Sequence, residues 1–200
     1  MIGIVVSLAD RASAHIGEHL LDLVEWDEVA DGVYRHGGFE LREFEEKHLY
    51  LDRVAAAFDD PDYIVVASKH SGETGPLLSA HFTGNFGDAE YGGEPQSLSV
   101  PAPNALSHVI RALADQLPEG YDVAMECTHH GPTDLGAPGL FVELGSGPEQ
   151  WEDPAGARAV AEGILTLEEV EPTTAQTVVA FGGNHYAPRP TRILQETAYA

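Results

Sequence analysis

Tyr63-Ile64-Val65-Val66-Ala67 is an unbroken apolar run, rich in β-branched residues and preceded by the turn signal Asp59-Asp60-Pro61. Such a run without a polar face is typical of a strand buried on both sides, as inside a parallel sheet. Working outward from it, similar segments occur at Ile2-Gly3-Ile4-Val5-Val6, Leu77 to Phe82, Tyr121 to Cys127, Leu140 to Leu144 and Thr177 to Phe181. Segments of helical period lie between them. Ala12, Ile16, Leu20 and Leu23 share one face of a helix over 10–24, and Leu106, Val109, Ile110, Leu113 and Leu117 form a stripe over 104–117. Asp153-Pro154 is an N-cap followed by proline at the first helical position, opening a helix that buries Val160 and Ile164 and runs to about Leu167. A short helix is expected over 54–58, short edge strands over the acidic stretch 25–51, a loop over 84–97, and a helical start at Thr191-Arg192-Ile193-Leu194. Buried strands alternating with amphipathic helices define an α/β fold, a single domain over residues 1–200 with a mixed or largely parallel sheet flanked by helices.

The charge is extreme. There are 33 acidic residues against 10 basic ones in 200, a formal net charge of −23, and lysine occurs only at Lys47 and Lys69. The acids are spread along the chain, and the 43% hydrophobic content with clear periodicity argues against disorder. An evenly acidic, lysine-poor globular chain is read as a halophile's protein, because concentrated salt screens the self-repulsion. The other reading is an acidic protein with a basic partner. The single cysteine, Cys127, allows no internal disulfide and suits a reducing cytoplasm. No apolar run reaches the ~20 residues that span a bilayer, and a strand-like N-terminus is not a signal peptide.

Histidines track the strand ends. Residues 64–68 lead into Lys69-His70-Ser71-Gly72, 123–127 into Thr128-His129-His130-Gly131, and 178–181 into Gly182-Gly183-Asn184-His185. In open α/β sheets ligands bind beyond the carboxyl ends of strands, so His70, His129, His130 and His185 are expected to share one crevice, with His81 as a further member. Neutral imidazole suits zinc, and catalytic zinc takes three protein ligands and keeps a position for water. Glu126 lies three residues before His129, and Glu143 interrupts the apolar segment Phe141-Val142-Glu143-Leu144. A carboxylate buried there is costly unless paired or ligating, so either is a candidate ligand or general base. His15, His19, His36, His48 and His108 are read as solvated or ion-paired. Gly182-Gly183-Asn184 is read either as a phosphate cradle or as a tight turn that needs glycine. Cys127 is read as inert packing.

Several stretches, in order, resemble the archaeal and plant type of D-aminoacyl-tRNA deacylase. They are Ala67-Ser68-Lys69-His70-Ser71, His81-Phe82-Thr83-Gly84-Asn85-Phe86-Gly87, Tyr91-Gly92-Gly93, Glu126-Cys127-Thr128-His129-His130-Gly131-Pro132-Thr133, Phe141 to Ser146, Trp151 and Gly182 to Pro188. The resemblance covers most of residues 60–190. It implies a fold similar to peptidyl-tRNA hydrolase and phosphorylase-like domains, two zinc ions, and hydrolysis of the ester joining a D-amino acid to the tRNA 3′ end. Family members continue past the His-Tyr-Ala-Pro segment, so this domain is expected to lack their C-terminal region.

The candidate roles are therefore these: His70, His81, His129 and His185 as metal ligands, Glu126, Glu143 and His130 as catalytic groups, and Lys69, Thr83, Asn85 and Arg189 as substrate contacts. Lys69, Arg111, Arg189 and Arg192 are expected to form a small basic patch. The partner is a tRNA 3′ end, the location cytoplasmic and the state monomeric. Alternatives are a hydrolase or phosphorylase of a small nucleoside or acylated amino acid, and a non-catalytic metal-binding module. The charge yields a test of its own. Surface repulsion reaches about 10 Å at 0.1 M salt and about 3 Å at 1 M. The melting temperature should rise as KCl increases from dilute buffer into the molar range; a flat or falling curve contradicts the halophile reading.

Overall fold

A computed structural model describes residues 1–170 and 176–196. One eight-stranded sheet organises the chain, built from β1 (Ile2–Ser7), β2 (Asp27–Ala30), β3 (Val33–His36), β4 (Phe39–Phe44), β5 (Tyr63–Lys69), β6 (Leu77–His81), β9 (Asp122–Met125) and β10 (Gly139–Gly145). Its order is β2-β3-β4-β1-β5-β10-β6-β9. A two-residue pair, β7 (Gly84–Asn85) and β8 (Ser97–Leu98), closes a loop beside it. The helices are α1 (Arg11–Leu23), α2 (Pro103–Asp115), α3 (Pro148–Trp151), α4 (Pro154–Leu165) and α5 (Pro188–Glu196). No helix among the described residues is long and apolar enough to cross a membrane.

Strands β4, β1, β5 and β10 are mutually parallel. Strand β6 pairs antiparallel to β10, and β9 follows β6 in parallel, so both run against the four-stranded core. The expectation that residues after β5 and β9 leave at one common sheet end is corrected by this reversal. The sheet's two faces explain what replaces it. Side chains alternate across a strand, and Ile4, Val65, Val142 and Ala80 join α1, α2 and α4 in the principal core. The opposite face holds a smaller core of Val5, Ile64, Val66 and Phe141, covered by Val54, Ala55, Phe58 and Leu135 from short turns. No long helix among the described residues contributes to that smaller core, and the histidines lie on the polar half of the same face.

Local chemistry sets the ends of the elements. Asp10 caps α1 by accepting from the Ser13 amide, and Asp153 caps α4 by accepting from the Ala155 amide, with proline at the first helical turn. Residues 177–181 do not form the expected buried strand: they are irregular, with Val179 and Phe181 largely exposed. An apolar run supplies strand propensity, but a strand also needs a free edge with matching register. No described strand pairs with this segment. Phe181→Ser should therefore leave the melting temperature of this chain nearly unchanged, whereas Phe141→Ala should cost about 3–5 kcal/mol by denaturant unfolding. Comparable losses at the two positions would contradict the described packing.

Candidate active site

Register places the site. Ser68 and Glu143 are paired neighbours on β5 and β10, Glu143 faces Ser79 on β6, and His81 ends β6 opposite Phe141. Glu126 follows β9 next to His81, its amide bonded to the Ala80 carbonyl. Ser68 and His70, and Ser79 and His81, thus stand two residues apart, and register brings Glu143 and Glu126 beside them. Glu126 is fully buried and Glu143 is 2% exposed, a costly position for two carboxylates unless cations or donors surround them.

The surrounding groups are histidines. His70 Nδ1 lies 3.1 Å from Glu126 Oε1 and 3.7 Å from Glu143 Oε2, and His81 Nε2 lies 3.4 Å from Glu143 Oε1. His185 Nε2 sits 2.5 Å from Glu126 Oε2, while His129 and His130 approach Glu126 and Glu143 at 3.8 and 4.0 Å. Backbone anchors bring the loops in. The Cys127 amide donates to the His185 carbonyl, and the Gly84 amide to that of His130. The Gly131 amide donates to the Tyr91 carbonyl, tying the 84–98 loop to the His129–His130 corner. Gly92 and Gly131 permit that contact: a Cβ on Gly131 would lie 2.2 Å from the Gly92 carbonyl carbon, and Gly92 holds φ +80° against the Leu49 carbonyl.

Tautomers follow from the second ring nitrogens. Nδ1 of His81, His129 and His130 lies 2.7–2.9 Å from the carbonyls of Phe82, Cys127 and Gly131 respectively. Each Nδ1 therefore carries the proton in the neutral ring, leaving three Nε2 lone pairs turned toward one place. No hydrogen bond of good geometry reaches His81 Nε2 or Glu126 Oε1. Backbone-anchored imidazoles with converging lone pairs beside a carboxylate fit a bound cation. Among the described residues, three ligand sets are close enough to share one: His81, His129 and His130; His70, Glu126 and His185; and Cys127, His129 and His185.

The electrostatics divide the histidines into two kinds. Burial lowers His129 to a pKa of about 4 and His130 to about 3, aided by the neighbouring His81 charge, so both are neutral at pH 7. Burial opposes the charge on His70 too, but the close carboxylates of Glu126 and Glu143 outweigh it and push the pKa up to about 10. Glu143 raises His81 against its burial in the same way. Burial works against ionised Glu126, yet its pairing with His70 and its attraction to His81 and His70 hold it at about 2. Attraction to His81 and to the nearby His70 keeps Glu143 well below the ordinary carboxylate range against the same opposing burial.

The other expected residues are placed as follows. Lys69 pairs with Asp10 at 3.2 Å and lies over the Trp151 ring. Thr83 is buried, bonded to Ser99 and the Pro132 carbonyl, and Asn85 donates to the Gly92 and Glu94 carbonyls; both brace the loop. Arg189 and Arg192 are exposed on α5, while Arg111 donates to Ser107 and to the Leu194 carbonyl, away from the cluster. Cys127 is exposed beside His185, correcting its reading as packed interior. His48, read as solvated, is 3% exposed and bonded to Ser68.

This is an α/β protein whose second sheet face carries a buried histidine–carboxylate cluster. The chain belongs to the D-aminoacyl-tRNA deacylase family, whose model matches residues 57–200. A D-aminoacyl-tRNA deacylase of Natronomonas pharaonis is 56% identical over 98% of this chain, and one of Halobacterium salinarum is 54% identical over the same share. This chain covers 47% and 44% of those relatives, about half their length. Their halophilic sources agree with the acidic, lysine-poor composition. Among solved structures, a conserved protein of unknown function, AF0625, superposes with a TM-score of 0.90 at 34% identity, over 97% of this chain and 72% of that one. An AMP nucleosidase from Bacteroides thetaiotaomicron, 13% identical with a TM-score of 0.51 over 84% of this chain, is alike in fold alone.

The charge pattern predicts two titrations in metal-free protein. His70, with its pKa raised above the ordinary 6.5, contributes stability that is fully present below about pH 6.5 and lost as pH rises through about 10. Nitrogen-15 NMR should find His70 protonated at about pH 8, and His129 and His130 neutral at about pH 5.5. Ordinary titration of all three near 6.5 would contradict the arrangement.

Proposed function

We infer that the chain hydrolyses the ester bond of D-aminoacyl-tRNA, releasing the D-amino acid and free tRNA. The observation that carries this reading is the buried pair Glu126 and Glu143 among five histidines, in a chain similar over nearly its whole length to proteins bearing that name. Zinc suits the imidazole-rich donor sets. His81, His129 and His130 would hold one ion, and His70, Glu126 and His185 a second. The chemistry zinc supplies is polarisation of a carbonyl and acidification of water near neutral pH.

The chain's own groups do the rest. His130 Nδ1 is engaged by the Gly131 carbonyl and the ring belongs to the same donor set as His81 and His129, so it would serve as a ligand in place of the catalytic role expected from the sequence. Glu126 and Glu143 stay ionised across the neutral range, and each is positioned to take a proton from attacking water. With a charge of −23, recognition would fall on the single-stranded 3′ end. Stacking on exposed Phe86 and Tyr91, on the loop fastened to Gly131, would replace a broad basic face. Arg189 and Arg192 would add phosphate contacts at the rim. The protein would act as a monomer in the cytoplasm.

The acidic surface also favours a second reading, a small acylated amino acid or nucleoside in place of tRNA. One assay separates the two. D- and L-tyrosyl-tRNA are incubated with the protein, with and without a strong chelator. Cleavage of the D form, sparing of the L form and loss of turnover in chelator are expected. Full activity without metal contradicts the role of the cluster. Equal rates on both forms remove the chirality, and turnover of free esters alone supports the second reading. His129→Ala or His185→Ala should lower the rate about 100-fold or more, while His108→Ala stays near wild type.

A further inference from the structure

Beside the cluster, meeting the Glu143 oxygen that His81 also approaches, three buried side chains form a continuous hydrogen-bonded line. Ser68 Oγ lies 2.8 Å from Glu143 Oε1 and 2.8 Å from His48 Nε2. Ser68 is fully buried, and His48 and Glu143 are 3% and 2% exposed. His48 opens the 3-10 turn His48–Tyr50 after β4, and its ring meets Phe141 edge-on at 5.5 Å. The turn is held in place by Ser7, whose hydroxyl donates to the Glu46 carbonyl.

The direction of the line is fixed by proton count. Ser68 Oγ donates its one hydroxyl proton to Glu143 Oε1. The serine oxygen is then an acceptor toward His48, and His48 must carry its proton on Nε2. His48 Nδ1 has no partner in its buried surroundings. An unpaired lone pair is tolerated there more readily than an orphaned N–H. The line therefore reads His48 Nε2–H to Ser68 Oγ–H to Glu143 Oε1, with both protons pointing at the carboxylate.

We propose that His48 and Ser68 are positioning residues that fix the orientation of Glu143 in the cluster. The proposal rests on the deacylase reading for its kinetic consequences but not for its geometry. Glu143 contacts His70, His81 and His130, so freedom in its carboxylate would spread to three site side chains at once. Partners of this kind, behind groups that act directly, change rate by about 10–100-fold when removed. Neither residue belongs to the candidate ligand sets, so substrate binding should be spared.

The test has two independent arms. In the wild-type protein, nitrogen-15 NMR should show His48 as the Nε2–H tautomer; an Nδ1–H tautomer or a charged ring overturns the line. This arm needs no turnover, so it stands even if the protein proves inactive on D-aminoacyl-tRNA, the outcome that would defeat the function and not the geometry. In the kinetic arm, His48→Leu keeps the apolar contact with Phe141 and removes the donor, while His48→Gln packs less well but retains an amide donor. His48→Leu should lose about tenfold or more in kcat with KM little changed. His48→Gln should keep most of the rate. Ser68→Ala combined with His48→Leu should lose about as much as either alone, because both break one line. Equal losses in the Leu and Gln variants, or multiplied losses in the double variant, would reduce His48 to packing. Should a variant fail to fold, the wild-type tautomer still decides.

Discussion

The structure depends on the burial of two carboxylates in the middle of a sheet face. Glu126 and Glu143 sit where apolar side chains would normally complete the smaller core, and they remain charged. An unpaired buried carboxylate shifts its pKa upward and neutralises. Both are instead held low, because His70 and His81 bring positive charge within hydrogen-bonding or near-contact distance. Around this exchange the rest of the site is arranged. His129 and His130 are kept neutral by burial, aided by the charge on His81, and the loops carrying them are tied back by main-chain bonds.

The facing carboxylates favour the protonated form of His70 and His81, whereas neutral His129 and His130 offer lone pairs. A divalent cation would take over the neutralisation of both carboxylates and displace the protons, so binding is linked to proton release. The same physics makes the cluster intolerant of partial removal: loss of one histidine leaves a buried carboxylate without its partner, which is costlier than loss of the whole pair.

Much of the fold was legible in the sequence because burial leaves a periodic trace. The apolar run 63–67 and the stripes over 10–24 and 104–117 correspond to β5, α1 and α2. The direction of β6 and β9 was not legible, since propensity and burial are the same for either direction; only the pairing with β10 sets it. The reading of residues 177–181 failed because hydrophobicity shows willingness to pair without showing a partner. The members of the cluster were found by their proximity to strand ends, yet they meet over a face. The clearer signal was the period-two recurrence of polar residues at Ser68 and His70, Ser79 and His81, in otherwise apolar strands. His48 was lost among acidic loop residues, and nothing local distinguishes it from His36; its burial is set by the turn closing over Ser68 and Phe141.

The central claim is that these side chains form one cation-holding centre on the second sheet face. Anomalous X-ray scattering at the zinc edge, from crystals of zinc-loaded protein, tests it most directly. The account predicts peaks among the Nε2 atoms of His81, His129 and His130 and between His70, Glu126 and His185. Zinc confined to exposed surface acids, with His70 and Glu126 still in direct contact, would contradict it.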